Sequence, residues 1–378
     1  MRVVIAGGGL AAQRCCATLR RLGHDGPITL VGDEPLLPYD RPPLSKQWLA
    51  ADVDEDALLL RPASWYAEHG IDVRLQERAT QLYATARRLR LAGGEELRYD
   101  RLLIATGARA RSLPSAERFE NVCVLRSAAD ATALRARVRS AARLVVVGAG
   151  FIGLEAAATA RALGADVTVL EAARAPLEAI VGPQLGAWFA RMHREEGVDL
   201  RCGCGVDGFD AAGDSIRAVR LTDGTRVECD AVLVGIGVSP ATEWLAGTPL
   251  EGSGVAIDAG ARTALDDVFA AGDAAGGAHW EAAARQGAAA AHSMLGLAAP
   301  RAGHASFWSD QYATRIQLLG DPRGATALQI DGDPRSRDFT ALYVRGGLVV
   351  AGLLAGRPRA LPALRTQLGH PQPERNPA

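Results

Sequence analysis

Residues 143–171 read RLVVVGAGFIGLEAAATARALGADVTVLE. Leu144–Val147 has the pattern of a buried strand, Gly148–Gly153 turns the chain, and an alanine-rich helical run reaches Leu163. Gly164 stops that helix, and Val167–Leu170 resumes a strand that ends on Glu171. Strand, glycine turn, helix and strand make a βαβ unit. In the pattern Gly148-x-Gly150-x-x-Gly153, the first glycine permits a tight turn and the second lets backbone amides approach a pyrophosphate at the helix N-terminus. The third lets helix meet strand, and an acidic residue at the end of the next strand, here Glu171, accepts a ribose hydroxyl. A carboxylate there repels a 2′-phosphate, so NADH is expected in preference to NADPH.

The same arrangement stands at the N-terminus. Arg2–Ala6 enters Gly7-Gly8-Gly9, a helical run from Leu10 to Leu22 follows, and Gly23 precedes the strand pattern Ile28–Val31. The fingerprint is Gly7-x-Gly9-x-x-Ala12, with Asp33 and Glu34 closing the second strand. Each unit also has a similar ending. Gly93-Gly94 turns into Leu97–Tyr99 and Leu102–Ala105 reaches Thr106-Gly107; later Asp223-Gly224 turns into Arg226–Cys229 and Ala231–Val234 reaches Gly235-Ile236-Gly237. This internal echo predicts two related dinucleotide-binding folds, one inserted into the other. Two such sites in one chain point to a bound FAD and an exchanging nicotinamide cofactor.

Farther along, Val268–Ala271 leads to Gly272-Asp273 and a long helix from about Glu281 to Leu295. Pro300–His304 reads as a linker. Thr314–Leu319, Ala327–Ile330, Phe339–Arg345 and Leu348–Leu354 then form an antiparallel pattern, with Gly346-Gly347 as a hairpin turn.

The 378 residues exceed the ~150-residue domain prior more than twofold, so two or three domains are expected. Apolar residues at 48% and charged residues at 22% exclude a disordered or collagen-like chain. A net charge of −1 provides no overall basic field for nucleic acid or an anionic membrane. No stretch approaches the ~18 apolar residues of a membrane helix. The chain opens directly on a strand, so a cytoplasmic protein without a signal peptide is expected. Six cysteines stand at spacings that match neither a zinc site nor a C-x-x-C pair, as expected for free thiols. Lysine occurs once, at Lys46, against 41 arginines. A compact ammonium and a planar guanidinium are not interchangeable at a crowded site, which makes Lys46 a functional candidate.

The segment Pro38-Tyr39-Asp40-Arg41-Pro42-Pro43-Leu44-Ser45-Lys46 resembles the signature of the FAD-containing, NADH-dependent ferredoxin reductases of oxygenase systems. The resemblance extends through Ala105-Thr106-Gly107, the second fingerprint, Phe269–Asp273, Trp280 and Phe307-Trp308-Ser309-Asp310, in the family's order. It implies an α/β fold of two Rossmann-like domains for FAD and NAD with a small α+β C-terminal domain. The corresponding boundaries are 1–112 with 241–307 for FAD, 113–240 for NAD, and 308–378.

The resemblance also implies roles. Arg41 faces the FAD pyrophosphate and Lys46 the flavin ring. Glu155 pairs with Lys46 or holds the nicotinamide carboxamide. Asp273, beside Gly272, bonds the flavin ribitol, and Trp280 and Trp308 flank the ring system. Hydride passes from NADH to FAD, and single electrons leave to a [2Fe–2S] ferredoxin that feeds an oxygenase of P450 or Rieske type. A monomer or weak homodimer is expected.

Ser45 occupies the place where oxidases and peroxidases of the wider superfamily carry a cysteine, and no cysteine pair is spaced as in its disulfide reductases. Electrons therefore leave the flavin without a thiol relay. Rubredoxin, a quinone or oxygen as acceptor, or a redox-sensing role like that of apoptosis-inducing factor, stays open at this point.

Overall fold

The computed structural model describes residues 1–276, 279–301 and 303–371. They form two compact units, Met1–Asp40 with Asp54–Arg109 and Val238–Gly303, and Arg41–Val53 with Ala110–Gly237 and His304–Ala378.

The first unit is built on a five-stranded parallel sheet. Val3–Ala6 lies at its centre between Ile28–Val31 and Arg101–Ile104; Ile71–Arg74 and Val268–Ala270 form the edges. Both faces are covered, which explains the unbroken apolar run at the N-terminus. Val3 and Ile5 pack with Leu19, Phe269 and Met294 on one side; Val4 and Ala6 pack with Leu82, Leu89 and Trp244 on the other. The helices Leu10–Arg21 and Trp280–Met294 cover the first face. They approach closely at Gly287, where an added Cβ would lie 2.2 Å from the carbonyl oxygen of Ala11.

The second unit repeats the plan. Arg143–Val147 lies between Asp166–Glu171 and Ala231–Val234, with Asp199–Cys202 and Val122–Cys123 at the edges, all parallel. In both units a three-stranded antiparallel meander precedes the late strand of the sheet. It comprises Ala79–Tyr83, Arg88–Leu91 and Glu96–Arg98 in the first, and Val206–Ala212, Ser215–Leu221 and Arg226–Glu228 in the second. The internal echo read from the sequence is thus an echo of topology.

The remainder of the second unit is an antiparallel sheet in the order Ser306–Gln311, Thr314–Gly320, Leu348–Ala355, Asp338–Arg345, Ala327–Asp333. The pattern of apolar residues anticipated four of these strands and missed Ser306–Gln311. That strand buries Ser306, Ser309 and Gln311, so period-two hydrophobicity does not mark it.

The segment Arg41–Val53 belongs to the second unit through specific bonds. Trp48 Nε1 donates to Thr132 Oγ1 at 3.2 Å, and Arg135 Nη1 donates to the carbonyls of Trp48 and Ala51 at 3.1 and 2.7 Å. Thr159 Oγ1 donates to the Ser45 carbonyl at 2.7 Å.

Candidate functional site

The two glycine turns have matching geometry. Gly7 has φ +125°, and a Cβ there would lie 2.0 Å from the Ala105 carbonyl oxygen. Gly148 has φ +103°, and its Cβ would lie 2.5 Å from the Gly235 carbonyl oxygen. Each first glycine therefore packs against the end of the neighbouring late strand, where a side chain has no room. The second glycines differ. Nothing lies within 4 Å of a Cβ built on Gly9 or on Gly150. The third positions close the helix onto the strand. A Cβ on Gly153 would meet the Gly148 carbonyl oxygen at 2.2 Å, whereas Ala12 is accommodated and fully buried.

Gly9 and Gly150 are also the N-caps of the helices Leu10–Arg21 and Phe151–Ala162. Neither helix has a capping side chain or an acidic residue in its first turn. The contrast lies within the same chain, where Ala128–Ser140 carries a complete capping box from Ser127 and Asp130. Two uncapped helix starts with open space before them present amide donors and positive dipole ends, a donor set that suits a pyrophosphate. The residues present therefore fit a dinucleotide at each turn.

Glu171 braces the second glycine turn. Its carboxylate accepts from the backbone N–H of Ala149 at 2.7 Å and of Ala173 at 2.8 Å, so it pins the glycine turn while remaining half-buried at the strand end. In the first unit Asp33 is exposed, and Glu34 accepts a hydrogen bond from Tyr39 Oη at 2.5 Å.

Thr106 Oγ1 donates to the Ala241 carbonyl at 2.7 Å, and the N–H of Ala241 donates to the Gly107 carbonyl at 3.0 Å. These bonds stitch the Thr106-Gly107 turn to the returning part of the chain. Gly272, at φ +74°, donates its N–H to Gln286 Oε1 at 2.8 Å, which holds the turn that presents Asp273. The Trp280–Met294 helix starts one residue before the expected position, and the Trp280 indole N–H donates to Asp40 Oδ1 at 2.5 Å. His279 is pushed below its ordinary pKa, first by burial, with Asp273 opposing the shift.

In the second unit Lys46 and Glu155 form an ion pair, Nζ to Oε2 at 2.6 Å, with side-chain exposures of 13% and 4%. Ser45 Oγ donates to the same Glu155 oxygen at 2.5 Å, and Ser309 Oγ donates to Oε1 at 2.6 Å. Lys46 also donates to the Pro42 carbonyl at 3.2 Å. Arg41 donates from Nη1 to the Arg126 carbonyl at 2.6 Å. Trp308 is half-buried on Ser306–Gln311, with the Arg315 guanidinium 5.6 Å from its ring centroid.

Sequence reasoning singled out Lys46 and Glu155 but missed Ser45 as a hydrogen-bond partner and assigned no role to Ser309 or Gln286. Neither Gln286, which accepts from the Gly272 N–H across 14 positions, nor the two serines carry a sequence signal that could have found them.

Cysteine chemistry contributes little. All six thiols are free, and Cys15, Cys16, Cys123 and Cys229 are buried. Burial pushes the Cys16 thiol up to about 12 and that of Cys229 to about 11, and it raises Cys15, Cys123 and Cys202 as well. Such thiols stay protonated and do not act as nucleophiles at neutral pH. No described helix is long and apolar enough to cross a membrane.

Comparison with known proteins matches residues 1–287 to the pyridine nucleotide-disulphide oxidoreductase model and residues 306–376 to the reductase C-terminal model. The chain is 36% identical to rhodocoxin reductase of Rhodococcus erythropolis, over 99% of this chain and 90% of that protein. It is 38% identical to the 5,5′-dehydrodivanillate O-demethylase ferredoxin reductase subunit of a Sphingobium species, over 92% and 88% of the two chains. Among solved structures, it matches the covalent putidaredoxin reductase–putidaredoxin complex at a TM-score of 0.92 and 33% identity, covering 97% of this chain and 92% of that one.

Proposed function

The chain belongs to the pyridine nucleotide-disulphide oxidoreductase family, and from that premise we propose that it is the flavoprotein reductase of an oxygenase system, an NADH:ferredoxin oxidoreductase. The observation that carries this reading is the pair of open, uncapped glycine turns in one chain whose buried thiols are held protonated. Two dinucleotides are accommodated, and no thiolate pair stands ready to relay electrons to a disulfide. NADH, when bound, supplies a hydride, and FAD accepts it and releases electrons one at a time.

The chain's residues supply binding and electrostatics. In this reading the Gly7–Ala12 turn takes the FAD pyrophosphate, Asp33 or Glu34 the ribose, Asp273 the ribitol, and Trp280 a flank of the ring. Thr106 and Gly107 support the same site. Gly148, Gly150, Gly153 and Glu171 take NADH, with the Glu171 carboxylate disfavouring a 2′-phosphate. Arg41 serves the FAD pyrophosphate. Lys46 presents an ammonium to the flavin, oriented by Glu155. Trp308 is assigned to the exit of electrons from the flavin. As functional divisions the three domains are 1–112 with 241–307, 113–240, and 308–378, with Arg41–Val53 of the first bonded to Thr132, Arg135 and Thr159 of the second. The acceptor is a [2Fe–2S] ferredoxin, the enzyme is cytoplasmic, and it is a monomer or weak homodimer.

The test is NADH-driven cytochrome c reduction with and without an added oxygenase-type [2Fe–2S] ferredoxin. Turnover that depends on the ferredoxin is expected. Turnover indifferent to several such ferredoxins, with a flavin fully reduced by NADH, would overturn the acceptor assignment.

A further inference from the structure

Glu155 is the terminus of a longer buried series. Tyr312 Oη lies 2.9 Å from His193 Nδ1, and His193 Nε2 lies 2.9 Å from Gln311 Oε1. Gln311 Nε2 donates to Ser309 Oγ at 3.0 Å, and Ser309 donates to Glu155 Oε1 at 2.6 Å. His193, Ser309 and Gln311 are fully buried. The far end determines the direction of every bond. A carboxylate paired with an ammonium only accepts, so Ser309 gives it its hydroxyl proton. Ser309 must then accept from the Gln311 amide nitrogen, which turns the Gln311 carbonyl toward His193. His193 consequently carries its proton on Nε2, and Nδ1 accepts from Tyr312.

We propose that Tyr312, His193, Gln311 and Ser309 form a one-way chain of donors that orients and polarises Glu155, which makes them positioning residues for the Lys46 ion pair. Donors aligned in one sense polarise one another in a low-dielectric interior. The chain does not conduct protons, because the Gln311 carboxamide accepts at one end and donates at the other without exchanging a proton between them. Its neutral histidine fits the setting: burial lowers the His193 pKa to about 4, with Arg337 lowering it further while Gln311 and Glu196 oppose. Tyr312 holds φ +54°, a left-handed conformation that a side chain of its size rarely adopts. That backbone places its hydroxyl on His193, at the turn between Ser306–Gln311 and Thr314–Gly320. The functional consequence rests on the reductase reading above; the coupling of the chain to Lys46 does not.

The single lysine makes the test selective, because [13Cε]lysine labels Lys46 alone. The full-length flavoprotein is labelled, and the Cε resonance is compared among wild type, Ser309→Ala, Ser309→Thr, Gln311→Leu and Tyr312→Phe. The resonance is expected to move in Ser309→Ala and Gln311→Leu, to move less in Tyr312→Phe, and to return toward wild type in Ser309→Thr. Single-turnover bleaching of the flavin by saturating NADH is expected to slow by about three- to tenfold in Ser309→Ala, the worth of one hydrogen bond, and to recover in Ser309→Thr. Should Gln311→Leu fail to fold, Tyr312→Phe removes only the outermost donor and still reads the chain. A Lys46 resonance unmoved in folded Ser309→Ala and Tyr312→Phe would overturn the proposal. A resonance that moves as expected in a wild-type background whose flavin NADH does not reduce would support the chain and defeat the reductase reading instead.

Discussion

Lys46 Nζ sits 2.6 Å from Glu155 Oε2, a buried ion pair between residues 109 positions apart. The pair stands between the Arg41–Val53 segment and the helix that starts at the second glycine fingerprint. Both Ser45 and Ser309 donate to the same carboxylate, so it is satisfied by more than its counter-ion. That degree of satisfaction is what a buried charge pair needs to be tolerated.

Removing one partner leaves an uncompensated buried charge. Glu155→Gln is expected to cost on the order of 3 kcal/mol in urea unfolding, because Lys46 keeps only a small exposed fraction. Lys46→Met with Glu155→Gln should cost less than the sum of the two single variants. Strict additivity in that double-mutant cycle would show that the pair is not coupled.

Two neighbouring glycines should separate folding from binding. Gly148→Ala places a Cβ 2.5 Å from the Gly235 carbonyl oxygen at φ +103°. Left-handed strain and overpacking together predict a loss of about 2–4 kcal/mol. Gly150→Ala meets nothing within 4 Å, so its melting temperature should stay close to wild type while NADH binds at least ~10-fold more weakly through lost approach to the amides. Calorimetry and NADH titration of the two variants check this. Equal NADH affinity in Gly150→Ala would remove that turn from the cofactor site.

Glu171→Ala should narrow the preference for NADH over NADPH by roughly tenfold, since the repulsion of a 2′-phosphate goes with the carboxylate. It also deletes two charge-assisted bonds to Ala149 and Ala173, so a modest loss of stability accompanies the change. The ratio of kcat/KM values for the two cofactors is the measurement, and an unaltered ratio would refute the assignment.

Asp273→Ala is expected to yield protein depleted of flavin. The visible absorbance ratio after extensive dialysis measures it. Full flavin content would place Asp273 outside the FAD site.

His193 gives the fold an acid sensitivity of known sign. Its folded pKa is depressed to about 4, with burial as the first cause, against about 6.5 when unfolded. The unfolded chain therefore binds the proton first. The contribution is fully present above pH 6.5 and is lost as pH falls toward 4, at about 1.4 kcal/mol per pH unit within that window. Arg337, Glu196 and Tyr312 face the same ring and remain in a His193→Phe variant. The slope of unfolding free energy against pH between 4 and 6.5 should be shallower in His193→Phe than in wild type; equal slopes would show that His193 does not titrate in this window.

The sequence by itself determined both dinucleotide folds, because glycine turns, strand ends and helix stops are local features whose physics lies within about thirty residues. Gly7, Gly148, Gly153, Glu171 and Gly272 were legible for that reason, and their geometry follows the local rules. Lys46 was legible through a different signal, its solitude among arginines. Only tertiary structure decided the rest. Arg41–Val53 joins the second unit through bonds to Thr132, Arg135 and Thr159, which no local pattern announces. The strand Ser306–Gln311 was hidden because its inward residues are polar, and His193 meets Gln311 across 118 positions. A buried hydrogen-bond network has no sequence periodicity: its members need only converge in space, and the folded chain alone brings them within reach.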